Sequence, residues 1–122
     1  MRGILLAGLF AALTIATAAP AQGQVVRTAS GDRCSGTITA GGVSQVAANG
    51  DMSRNWLFVQ NPINATEPLF VDFGPNHLAS ATLSTQLAPG GSISFLAGVV
   101  PGTQVNVSAA TAGHAFVCET GR

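Results

Sequence analysis

The sequence predicts an all-β domain, a small β-sandwich or barrel of about eight short antiparallel strands. Three observations carry this. Apolar residues downstream of Cys34 come in short runs that alternate with polar ones. Gly, Pro and Asn punctuate those runs roughly every ten residues. No stretch carries the periodicity of an amphipathic helix.

Taken in order, Ser35–Thr39 and Val43–Ala47 read as two short strands around Ala40-Gly41-Gly42. Trp56–Gln60 and Leu69–Phe73 are apolar strands. Asn61 to Pro68 is expected to join them as a hairpin loop, because Pro62 and Pro68 would stop ladder pairing at each end. Thr82–Leu87 alternates, with Leu83, Thr85 and Leu87 on one face. Pro89-Gly90-Gly91 is a turn signal, and Ser92–Phe95 follows with Ile93 and Phe95 inward. Gln104–Ala109 places Val105 and Val107 together. Thr111-Ala112-Gly113 turns the chain into His114–Glu119, where Phe116 and Cys118 share a face.

The first 21 residues have a different grammar. Met1-Arg2 gives a positive start, Ile4 to Ile15 is an almost unbroken apolar run, and Ala19-Pro20-Ala21 matches an A-x-A cleavage pattern. This is the layout of a secretory signal peptide, with Gln22 as the mature start. The apolar run is short and Ala/Gly-rich for a membrane span, so no stable membrane insertion is expected after cleavage. Residues 22–33 are polar and read as a flexible lead-in, and residues 34–122 as the sandwich domain.

Export gives the two cysteines a meaning. Cys34 and Cys118 are the only pair in the chain, 84 residues apart, and an even count in an exported protein reads as a disulfide. Closing so long a loop is worth about 4–5 kcal/mol in the chain-entropy account.

Charge excludes several functions. Beyond the leader, Arg27, Arg33, Arg54 and Arg122 face Asp32, Asp51, Glu67, Asp72 and Glu119, four cations against five anions. Scattered arginines without a single Lys do not neutralise a phosphate backbone, so nucleic acid is not an expected partner. Absence of Lys beside abundant Ala and Gly points to a GC-rich genome, a bacterium or one of its viruses. So sparse a charge set is common on proteins that live in assemblies, which makes a protein partner or self-assembly the expected mode of action.

Catalytic and metal signatures are thin. His77 follows Gly74-Pro75-Asn76, and Asp72 lies five residues before it, close enough for a pair across a turn; the plainer reading is a solvated loop histidine. His114 reads as a strand-end polar residue. No Ser lies in a Gly-x-Ser-x-Gly context. The Cys and His spacings do not match a zinc site, and no cofactor is implied. Asn64-Ala65-Thr66 and Asn106-Val107-Ser108 match a glycosylation sequon, a short pattern that arises readily by chance. Trp56, the single Trp, would stack on a sugar or anchor a partner if exposed, but its strand context favours the core.

From Asn55 on, the chain carries in order Trp56-Leu57-Phe58-Val59-Gln60-Asn61, Leu69-Phe70-Val71-Asp72-Phe73-Gly74, Leu87-Ala88-Pro89-Gly90-Gly91-Ser92, Val100-Pro101-Gly102, Val105-Asn106-Val107 and Thr111-Ala112-Gly113-His114-Ala115-Phe116. It resembles small β-sandwich accessory or decoration proteins of tailed bacteriophage virions, over Ser35 to Glu119. The resemblance implies a protein that binds and packs, and it transfers no catalytic residue.

The expectation is therefore an exported, non-catalytic β-sandwich that serves as a binding or structural assembly module. Its contact surfaces would be the loops Asn61–Pro68 and Gly74–Ala81, with Asn64, Glu67, Asn76 and His77 as contact residues. The alternatives are a phage virion accessory protein and a small secreted hydrolase or carbohydrate-binding module.

Overall fold

A computed structural model describes residues 31–122. The expected signal peptide and most of the expected lead-in lie outside the described residues. Nine short strands form two antiparallel sheets: β1 (Gly31–Arg33), β2 (Gly36–Thr37), β3 (Gln45–Ala48), β4 (Trp56–Gln60), β5 (Leu69–Phe73), β6 (Thr85–Leu87), β7 (Ser92–Phe95), β8 (Val105–Ser108) and β9 (Ala115–Gly121). One sheet runs β1-β9-β4-β7, with β2 also on β9; the other runs β3-β8-β5-β6. This is the small β-sandwich that the alternation predicts.

The core lies between the sheets. Leu57 and Val59 of β4 and Phe116 and Cys118 of β9 face Leu69 and Val71 of β5, Leu87 of β6, and Val105 and Val107 of β8. Phe73 and Phe95 meet edge to face across the two sheets, 5.2 Å between ring centres. Cys34 and Cys118 form the expected disulfide, spanning 84 residues. The bridge joins the end of β1 to β9. Both β1 and β2 pair with β9, so the start of the domain is fastened to its last strand by hydrogen bonds as well.

Several expectations are corrected. Gly31–Arg33, placed in the lead-in, is a strand: Gly31 pairs with Gly121 and Arg33 with Glu119. The Asn61–Pro68 segment is not a hairpin loop. Both neighbours of β4 are already taken, β7 on one side and β9 on the other, so the chain crosses to the second sheet before forming β5. Leu83 is not on a strand and does not share the face of Leu87. The chain turns through residues 81–83 before β6 begins at Thr85, and Leu83 is 87% exposed. Trp56 is not core filler. The period of two that buries Leu57 and Val59 puts Trp56 on the outer face, half-buried.

Candidate functional site

The best-defined candidate is the segment between β5 and β6. After Phe73 the chain does not turn straight back. It folds over the outer face of the four-stranded sheet, held by polar side chains of β8 that point outward. Asn106 Nδ2 donates to the carbonyl oxygens of Gly74 (3.0 Å) and His77 (2.7 Å), and Ser108 Oγ donates to that of Ala79 (2.9 Å). Ala79 N–H donates to Ser44 Oγ, so the neighbouring edge of the sheet holds it too. Asn106 and Ser108 are buried under this flap although they lie on the side of β8 away from the core. Alternation explains their direction; the flap explains their burial.

Within the flap, Asp72 organises His77. The Asp72 carboxylate accepts from the N–H of Phe73 (2.7 Å), from Ser84 Oγ (2.9 Å) and from His77 Nδ1 (3.0 Å). Burial pushes the carboxyl upward, but the donors Ser84, Phe73 and His77 outweigh it and hold it below its ordinary value. Asp72 therefore acts as an acceptor, which puts a proton on Nδ1 and leaves Nε2 facing outward. Gly74 makes room for the ring: a Cβ there would sit 2.9 Å from His77 Cγ and Nδ1, and its backbone has φ +153°. Asp72, Asn76, His77, Leu78, Ser80 and Leu83 line one open cleft of about 670 Å³. Leu78 and Leu83 are 73% and 87% exposed, so the cleft presents two apolar side chains beside an oriented imidazole.

The other predicted contact loop is built differently. Asn61 is fully buried. Its Nδ2 donates to the carbonyl oxygens of Glu67 and Leu87, each at 2.9 Å, and its Oδ1 lies 3.0 Å from His114 Nε2. Glu67 accepts from Thr111 Oγ1 (2.6 Å) and Thr111 N–H (2.9 Å) and lies 3.3 Å from His114 Nδ1. The Thr111 hydroxyl and N–H, with His114 adding a smaller effect, hold the Glu67 carboxyl below its usual range against a weaker desolvation. His114 is not the simple strand-end residue expected; its side chain is 5% exposed. Of the four predicted contact residues, Asn76 and His77 share the cleft and Asn64 is exposed elsewhere, while Glu67 is turned inward onto Thr111.

Sequence reasoning missed Arg54. It is 6% exposed and donates to Thr120 Oγ1, to the carbonyl oxygens of Pro101 and Thr103, and to that of Asn49. It ties the β3–β4 and β7–β8 loops to strand β9, where a charge without hydrogen-bond partners would be costly. A lone Arg before a strand carries no pattern that marks it as buried. Asn61, Asn106 and Ser108 were equally silent. Among the described residues, no buried side-chain nitrogen or oxygen lacks a hydrogen-bond partner, and no cluster of three or more His, Cys, Asp or Glu is arranged to hold a metal. No described helix is long and apolar enough to cross a membrane.

Comparison with family models, with curated proteins and with solved structures finds no match.

Proposed function

We propose that the protein is an exported, non-catalytic β-sandwich that acts as a binding or structural assembly module, with the Gly74–Ser84 flap as its contact surface. The observation that supports this most is the exposure of Leu78 and Leu83 on a flap whose backbone is clamped by Asn106 and Ser108. Apolar side chains held in place beneath and open above lose little freedom when a partner covers them. The disulfide fits an oxidising compartment, in keeping with the predicted leader. The partner is a protein, an envelope component or a second copy of the chain.

The test is the native mass of the oxidised protein over a range of concentrations, alone and with an envelope extract. Larger species that disappear in a Leu78→Ser/Leu83→Ser variant support the proposal. A strict monomer under both conditions contradicts it. A virion accessory role would use the same surface to bind a head or tail lattice, and a gene neighbourhood of capsid and tail genes would favour it. The Asp72–His77 pair favours the hydrolase reading. Loss of a measured hydrolytic activity in a folded His77→Ala variant would establish that reading instead.

A further inference from the structure

We propose that the outer face of the five-stranded sheet carries a second site, a saccharide-binding shelf built on Trp56. Its geometry follows from register. Trp56 stands opposite Gly121 on β9, and Gly121 stands opposite Gly31 on β1. The row therefore reads Trp, Gly, Gly across three strands, so among the described residues β9 and β1 place no side chain beside the indole in that row. A Cβ placed on Gly31 would lie 3.4 Å from Trp56 Cζ2, so the indole spans β9 and reaches the third strand. Gly121 is buried beneath that span, whereas Trp56 itself is only half-buried. The ring is laid along the sheet rather than packed into the core.

The next row on the same face supplies hydrogen-bonding groups. Phe58 stands opposite Glu119, and Glu119 opposite Arg33. Arg33 and Glu119 line one cleft of about 170 Å³ together with Gly31, Asp32 and Trp56; Asp32, opposite Thr120 in the register, falls on the other face of the sheet. Among the described residues, neither Arg33 nor Glu119 has a side-chain hydrogen bond or an ion pair, whereas Asp51, Glu67 and Asp72 all do.

A pyranose fits this combination better than other ligand classes. Its ring has an apolar C–H face that lies on an indole and an equator of hydroxyls that donate to carboxylates and accept from a guanidinium. A nucleic acid would meet one carboxylate for one cation, with no excess positive charge for its phosphates. A protein interface would desolvate both charges, a cost that the pairing of Arg33 with Glu119 need not repay. The cleft is smaller than a drug-sized pocket and open, which suits one sugar ring of a longer chain. This deepens the binding-module reading by naming a ligand class, and its test does not depend on assembly.

Trp56 is the only Trp and the chain has no Tyr, so intrinsic fluorescence reports on this shelf alone. The experiment titrates the oxidised, purified protein with cellotriose, chitotriose and a peptidoglycan-derived disaccharide, following Trp56 emission. At least one sugar should give a saturable change with a dissociation constant on the order of 1 mM, as expected for a shallow site holding about a dozen atoms. Glu119→Gln and Arg33→Gln should each weaken binding about tenfold. Their melting temperatures should stay within about 2 °C of the parent's, as for surface substitutions. Leu78→Ser/Leu83→Ser should leave the titration unchanged, which separates this site from the flap. Silence with all three sugars up to saturation of their solubility overturns the proposal. So does a response that survives the Arg33→Gln/Glu119→Gln double substitution at full strength.

Discussion

The two loops that the sequence marks as contact surfaces, Asn61–Pro68 and Gly74–Ala81, have opposite constructions. In the first, the loop's own polar side chains at its two ends do the holding: Asn61 is buried and Glu67 is occupied by Thr111 and His114, while Asn64 between them stays exposed. In the second, the polar side chains that do the holding belong to the strand beneath, Asn106 and Ser108, so the loop's own side chains are free to face out. Which element supplies the hydrogen bonds separates the first loop from the proposed contact surface. A Pro-bounded, Asn-rich loop and a Gly-Pro-Asn loop look alike in sequence, yet one fastens itself with its own side chains and the other is fastened from the strand beneath.

The largest effect should come from the fastening. Asn61→Ala strands the carbonyls of Glu67 and Leu87 and the facing His114 nitrogen, and should cost about 3 kcal/mol in denaturant unfolding. If the loss is under about 0.5 kcal/mol, the inward construction of the first loop is wrong.

Next is Asn106→Ala, which removes both clamps on Gly74 and His77. It should cost about 2 kcal/mol and speed hydrogen exchange across residues 74–80 more than across 61–68. Equal acceleration in both loops would erase the distinction between them.

Acid should act on both. Asp72 and Glu67 titrate below their ordinary values when folded, and Asp51, held by Ser53 and Arg122, is lowered to about 2. A depressed carboxyl contributes stability that is complete above its unfolded value and lost as pH falls through its folded one. The melting temperature should therefore be flat with respect to these groups above about pH 5 and fall steadily from about pH 4 towards pH 2. Asp72→Asn should reduce that fall; a fall as steep as the parent's would mean that Asp72 is not held ionised by its donors.

The smallest effect on stability belongs to the exposed pair. Leu78→Ser and Leu83→Ser should each change unfolding by less than about 0.5 kcal/mol, because neither side chain packs in the core. A larger loss would make them structural.

Legibility in the sequence follows the same physics. The bounds of β4, β5 and β7 are those the alternation and the flanking Pro and Gly imply, because strand ends are local properties. The disulfide was legible from an even cysteine count and a predicted leader. Sheet membership was not: β4 and β5 are close in sequence but lie in different sheets, since pairing depends on which neighbours arrive from β7 and β9. Alternation also overran its strand at Leu83, where the pattern continues but the ladder does not. Burial of Arg54, Asn61 and Asn106 was invisible because each is buried by distant segments, and a polar residue carries no periodic mark of its fate.

The central claim is that the clamped flap, through Leu78 and Leu83, is where this protein meets a partner. Sedimentation velocity of the oxidised parent and the Leu78→Ser/Leu83→Ser variant, side by side with and without envelope extract, tests it most directly. The account predicts a larger species for the parent that the variant lacks while keeping the same melting temperature. A parent that sediments as a monomer under every condition, or a larger species of equal abundance in both proteins, would contradict it.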